Sequence, residues 1–157
     1  MLYAIYLIGL TGITVWGIGL EHMWAFVDSV TLYFILLFCV FCLVFTKSLK
    51  PFGRSFLLAF GKKNDSLVQC RESLQSVKMV MLMAALSGLL GFLIGSINGL
   101  KFSDALSPDI VYHIALDTSV AFISIFYAVC ICVILLPVFF MVKKHIIILE
   151  NAGETTD

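Results

Sequence analysis

Charge is scarce in this chain. Only 13% of its 157 residues are Asp, Glu, Lys or Arg, and the ten basic and ten acidic groups cancel to a formal net charge of zero. Nothing points to nucleic acid, whose partners need a phosphate-neutralising basic patch. Histidine is scarcer still. His22, His113 and His145 lie far apart at the ends of apolar runs, and none has metal-ligand spacing. There is no phosphate-binding Gly-rich loop of the P-loop kind and no G-x-S-x-G nucleophile motif. The chain therefore reads as a non-enzyme without catalytic residues, metal or cofactor. The N-terminus has no basic residue ahead of its first apolar run. A secretory signal needs a charged n-region, so the first run is expected to be a retained helix. Of the five cysteines, Cys39, Cys42, Cys130 and Cys132 lie in apolar runs and Cys70 lies in a basic stretch. The CxxC spacing of Cys39 and Cys42 has no redox-domain context. Cys39 and Cys42 are expected to act as buried small apolar residues, and Cys130 and Cys132, two apart on different helix faces, to form neither a disulfide nor a metal site.

What remains is apolar. Hydrophobic residues make up 61% of the chain, and the mean hydropathy is +1.08. Polytopic membrane proteins have this composition, and soluble domains of this length rarely do. A bilayer core takes about 20 apolar residues in a helix. Four runs qualify, at about 2–20, 29–45, 77–97 and 119–142. The basic residues orient them. Seven of the ten lie between Lys47 and Lys78, and Lys143 and Lys144 follow the last run, leaving only Lys101 apart. Basic loops stay on the cytoplasmic side. The expected fold is all-α integral membrane: a single membrane domain of four transmembrane helices with both ends inside. It has a cytoplasmic loop at about 46–76, an outer loop at about 98–118 and a cytoplasmic tail at 143–157.

Within the loops, Pro51-Phe52-Gly53 is expected to break the chain after the second span, and Ser55 to Phe60 to begin a short interfacial helix with Arg54 at the headgroups. Asn64-Asp65-Ser66 reads as a turn or N-cap from which the chain leads helically into the third span, and Ser107-Pro108-Asp109 as the start of a short outer helix. The tail from Glu150 is polar and expected to fray.

The third span carries a small-residue stripe. Ala84, Gly88, Gly91, Gly95 and Gly99 recur at three or four residues, on one helix face. In lipid such a stripe lets backbones approach closely. It serves either packing within one subunit or a face that lines a channel or receives a partner helix. The fourth span is apolar except for Asp117, Thr118 and Ser119 near its outer end and Ser124 within it. Asp117 and Ser124 are seven apart and share a face. Asp117 reads as a helix cap or solvated mouth residue, or as one of a ring of carboxylates at the mouth of a cation path. Ser124 reads as a hydroxyl bonded back to its own helix, or as a polar step in an ion path. No other ionisable residue lies deep in a span. A self-contained proton-coupled transporter keeps an acid or His there, so a partner is expected to supply any titrating group.

Three segments, in order, resemble the MotA/TolQ/ExbB family of ion-driven motor subunits, most closely its MotA side. They are Trp16-Gly17-Ile18-Gly19-Leu20-Glu21-His22-Met23-Trp24-Ala25-Phe26-Val27-Asp28, Ser87-Gly88-Leu89-Leu90-Gly91-Phe92-Leu93-Ile94-Gly95, and Ser119-Val120-Ala121-Phe122-Ile123-Ser124-Ile125-Phe126-Tyr127-Ala128 running on to Leu135-Leu136-Pro137. They are similar to the family's Gly-rich first span with its Leu-Glu turn and Phe-Ile-Asp, its Gly-Leu-Leu-Gly-Thr-x-Ile-Gly third span, and its Ala-Val-Ala-Phe-Leu-Thr-Thr-Leu-Tyr-Gly…Leu-Pro fourth span. The chain departs from the pattern at Ala85, where the family has proline, and at Phe92, where it has threonine. It also has Leu37-Phe38-Cys39 for Gly-Gly-Thr and Ile125 for the second threonine of the fourth span, and its cytoplasmic region is far shorter than a flagellar MotA's. The resemblance implies a proton-channel or motor-stator subunit of the bacterial inner membrane. It would form a homo-oligomeric ring, typically of five, around a MotB/ExbD-like single-span partner that carries the titrating Asp. Gly88, Gly91 and Gly95 would face that partner, Ser124 and Asp117 would flank the ion path, and Pro137 would kink the fourth span. The alternatives are a stand-alone four-span cation channel or transporter and a non-conducting membrane scaffold.

Overall fold

The computed structural model describes residues 2–18, 28–60, 66–101 and 110–154. They form five α-helices and, among the described residues, no strand: α1 Leu2–Ile18, α2 Ser29–Phe45, α3 Leu49–Ala59, α4 Leu67–Lys101 and α5 Ile110–Glu154. At about 1.5 Å per residue, α4 and α5 reach roughly 50 and 70 Å, well beyond the ~30 Å of a hydrocarbon core. Both are long and apolar enough to cross a membrane, and the bent pair α2–α3 makes a third candidate if counted as one span. The large apolar side chains left exposed, such as Val30, Tyr33, Phe45 and Leu100 at 72–80%, fit a lipid solvent.

The helices α4 and α5 form the backbone of the fold. Buried positions on α4 include Cys70, Ser73, Val77, Val80, Ala84 and Ser87, with Ser76 beside them, and on α5 Ala121, Ser124, Ala128, Leu135, Val138, Val142 and Ile146. That alternation of threes and fours places one stripe of each helix against the other, as in an antiparallel coiled-coil pair. From α2, Ile35, Cys39 and Leu43 join the same core, and Tyr3 joins it from α1. The cysteines are all free thiols, Cys39 and Cys70 buried among these residues.

The helix ends explain themselves chemically. Asp28 caps α2: its carboxylate accepts the Val30 N–H at 3.1 Å and the Thr31 hydroxyl at 2.5 Å. Ser66 and Gln69 form a reciprocal capping box at the start of α4, with Gln69 Oε1 accepting the Ser66 N–H at 3.3 Å and Ser66 Oγ accepting the Gln69 N–H at 3.5 Å. The end of α2 is a Schellman turn. The Lys47 N–H donates to Val44 O at 3.1 Å and the Ser48 N–H to Leu43 O at 2.9 Å. Glycine usually holds the left-handed position of such a turn. Here Lys47 holds it, with φ of 54°, at a cost of about 1–2 kcal/mol. The chain then bends by 107° into α3.

Several expectations change. The break after the second run lies at Thr46–Ser48 rather than at Pro51-Phe52-Gly53, which sit inside α3. Proline is tolerated in a first helical turn because no N–H is needed there. The short helix expected from Ser55 begins at Leu49 instead, and the Ser55 hydroxyl is buried and donates to Phe52 O at 2.6 Å. The last run, expected at 119–142, is part of one continuous helix of 45 residues. The expected fraying from Glu150 is absent as far as Glu154, and an exposed ion pair of 2.6 Å between Arg71 and Glu150 ties that end to α4. The segments holding Glu21-His22, Asn64-Asp65 and Ser107-Pro108-Asp109 lie outside the described residues.

Candidate functional site

The seam between α4 and α5 is set by the small-residue stripe. A Cβ on Gly88 would collide with the Ala128 side chain and lie 2.9 Å from Ser124 O. On Gly91 it would meet Ser124 Cβ at 3.0 Å, and on Gly95 Ala121 Cβ at 2.9 Å. A side chain at Gly88 or Gly95 therefore forces α5 to shift at Ala128 or Ala121, and one at Gly91 presses on Ser124. Of the two uses open to the stripe, the structure shows packing within the chain. On this face α5 is the helix packed against Gly88, Gly91 and Gly95, and Gly91 and Gly95 also border a cleft. Ala84, one turn further in, is fully buried in the same core.

Ser124 sits at the centre of this seam, 2% exposed. Its Oγ lies 2.6 Å from Ala121 O and 3.2 Å from Gly88 O. With a single proton, it bonds back to its own helix and shares that hydrogen with α4. The hydroxyl is thus both a local bond and a tie across the seam. Asp117 lies in α5, seven residues ahead of Ser124; its side chain is outside the described set.

Two surface depressions flank the seam. On the side of α2 is a cleft of about 230 Å³, with Thr31, Phe34, Gly91, Gly95, Asn98 and Ser124 in its lining. Its polar edge depends on the α2 cap. The Asp28 N–H donates to the Tyr127 hydroxyl at 2.9 Å, pinning the start of α2 to α5. Thr31, Asn98 and Tyr127 were not singled out from the sequence as site residues. The Asp-Ser-Val-Thr capping pattern at residues 28–31 was the one signal available for Thr31. On the other side is an apolar groove of about 380 Å³, bounded by Ala85, Leu89, Ile125, Ala128, Val129 and Cys132. The departures Ala85 and Ile125 thus line one groove. Phe92, a third departure, packs its ring 5.5 Å from that of Phe122.

Pro137 lies within α5, which continues through it. Proline has no N–H, so the carbonyl four residues earlier, that of Val133, loses its helical donor. The Tyr6 hydroxyl supplies the missing bond at 2.9 Å, and the Tyr3 hydroxyl donates to Ile134 O at 3.3 Å. The proline expected to kink the helix therefore creates the acceptor that anchors α1.

Among the described residues no group of His, Cys, Asp and Glu could hold a metal ion. His145 is half-buried on α5, and its Nε2 meets no partner among them. Compared with family models, curated proteins and solved structures, the chain matches none.

Proposed function

We propose that this protein is a ring-forming subunit of a MotA/TolQ/ExbB-like inner-membrane complex, crossing the bilayer four times with both ends in the cytoplasm. It works with a MotB/ExbD-like single-span protein that carries the titrating carboxylate. The reading rests on the three ordered motifs and on the charge map. The observation that carries it furthest is the α4–α5 seam. Beside its close packing runs an exposed apolar groove through Ala85, Leu89 and Ile125, in which Ala85 and Ile125 stand where the resemblance expects proline and threonine. A single apolar helix bearing one carboxylate fits such a groove, because packing and not hydrophobicity drives association in lipid.

The same groove favours a second reading. Its lining supplies no hydroxyl, and Ser124 opens instead toward the cleft beside α2. A subunit built this way could hold its partner as a non-conducting scaffold. Ion flux in liposomes separates the readings. The motor or channel reading expects flux only when chain and single-span partner are reconstituted together, reduced by Ser124→Ala. A complex that assembles without flux is the scaffold. Flux from the chain alone, with selectivity altered by Asp117→Asn, is a stand-alone channel and rejects the proposal.

A further inference from the structure

The elbow where α2 turns into α3 holds a second, chemically different site. A cleft of about 350 Å³ opens there against α4, with Thr46, Lys47, Ser48, Glu72, Gln75 and Ser76 in its lining and Pro51 and Met79 as its apolar members. It holds one cation and one anion. Among the described residues no ion pair joins Lys47 to Glu72 or either to another group. The hydroxyls are committed as donors: Thr46 Oγ1 to Cys42 O at 2.7 Å, Ser48 Oγ to Thr46 O at 3.2 Å and Ser76 Oγ to Ser73 O at 2.8 Å. They can only accept from a ligand. The cleft thus offers one ammonium for an anion and, around Glu72, a set of acceptors that calls for N–H donors.

Its place matters as much as its chemistry. It lies at the inner end of α2, where the chain bends by 107°, in the stretch that contains most of the basic residues. With α2 and α4 across the membrane, that is the headgroup level of the cytoplasmic leaflet. Exposed Val40, Val44 and Leu82 lie deeper on the same two helices and give acyl chains apolar surface. Lys47 also occupies a left-handed position that glycine fills without strain.

We propose that this elbow binds the zwitterionic phosphoethanolamine headgroup of a cytoplasmic-leaflet phospholipid, Lys47 taking the phosphate and Glu72, with the serine and threonine oxygens, taking the primary ammonium. Choline, which has no N–H, leaves those acceptors unmatched. An anionic phosphatidylglycerol places a net negative charge against Glu72 without an ammonium to offset it. The proposal rests on the membrane placement of α2 and α4 and is independent of the ring.

Native mass measurement and thermal unfolding of the detergent-purified chain, titrated with dioleoyl phosphatidylethanolamine, phosphatidylcholine or phosphatidylglycerol, test it. The ethanolamine lipid is expected to give retained adducts and a raised melting temperature, the other two much less. Free phosphoethanolamine at the same concentration is expected to give no shift, since it lacks the acyl chains. Lys47→Gly is expected to melt no lower than the parent without lipid, because the strained position is relieved, yet to bind the ethanolamine lipid about tenfold more weakly. Glu72→Gln is expected to lose the preference over choline. Equal response to all three lipids, or unchanged ethanolamine binding in both variants, overturns the proposal. So does a stronger response to the glycerol lipid. The same mass spectra count protein copies separately, so a failure of the ring and a failure of the lipid site are told apart.

Discussion

The tie between Tyr6 and Pro137 gives a sharp energetic test. Pro137 deprives Val133 O of its helical donor, and the Tyr6 hydroxyl replaces it at 2.9 Å. Tyr6→Phe keeps the ring and removes only the hydroxyl. It leaves a carbonyl in a low-dielectric setting without a partner, which costs about 1–3 kcal/mol. Because the bond is only part-buried, the lower half of that range, about 1–2 kcal/mol, is expected. Pro137→Ala returns an N–H to the helix, so Val133 O regains a donor with or without Tyr6. In that background Tyr6→Phe is expected to cost under about 0.5 kcal/mol, giving a coupling near 1 kcal/mol. The assay is a reversible denaturant titration in mixed micelles of the parent, both single variants and the double variant. Additive effects within about 0.3 kcal/mol, or a Tyr6→Phe variant as stable as the parent, would show that Tyr6 does not replace the donor lost at Pro137.

Other consequences can be checked in the same way. Gly88→Ala forces a methyl into Ala128 and the Ser124 backbone, so a loss of about 1–3 kcal/mol is expected in the same titration. Gly91→Ala, whose nearest neighbour is a side-chain atom at 3.0 Å, is expected to lose less than Gly88→Ala. Asp28→Ala removes the α2 cap and is expected to cost about 1 kcal/mol, with faster amide exchange at the first turn of α2. Arg71→Ala removes an ion pair whose partners are 63% and 41% exposed, and a change under about 0.5 kcal/mol is expected, shrinking further in salt.

The charge map and the apolar runs were enough to read the helical class and the extent of α2, because Asp28 and Lys47 bracket a clean apolar run. They also gave the start of α4, since Ser66 was readable as an N-cap from which helix leads into the third run. They were not enough for the end of α5. Helix continues through Lys143–Glu154, where polarity alone reads as loop, and there Glu150 pairs with Arg71 of α4. The glycine stripe was legible as a close-contact face, but its occupant was not. Spacing gives a face, and only the fold brings Ala121, Ser124 and Ala128 to it. Proline at 137 was visible, while its compensation by Tyr6 was not, since Tyr6 and Val133 lie 127 residues apart along the chain. Lys47 was read only as a topology signal. Its left-handed backbone, and the cleft it shares with Glu72, emerge from the bend at the end of α2.

The central claim is that this chain builds a ring around single-span helices. Native mass measurement of the complex purified in mild detergent, from cells that also express a single-span protein with a carboxylate in its apolar segment, tests it most directly. The expected result is several copies of the chain, five by the family resemblance, retaining the single-span protein. A stable monomer that recovers no such partner would contradict it.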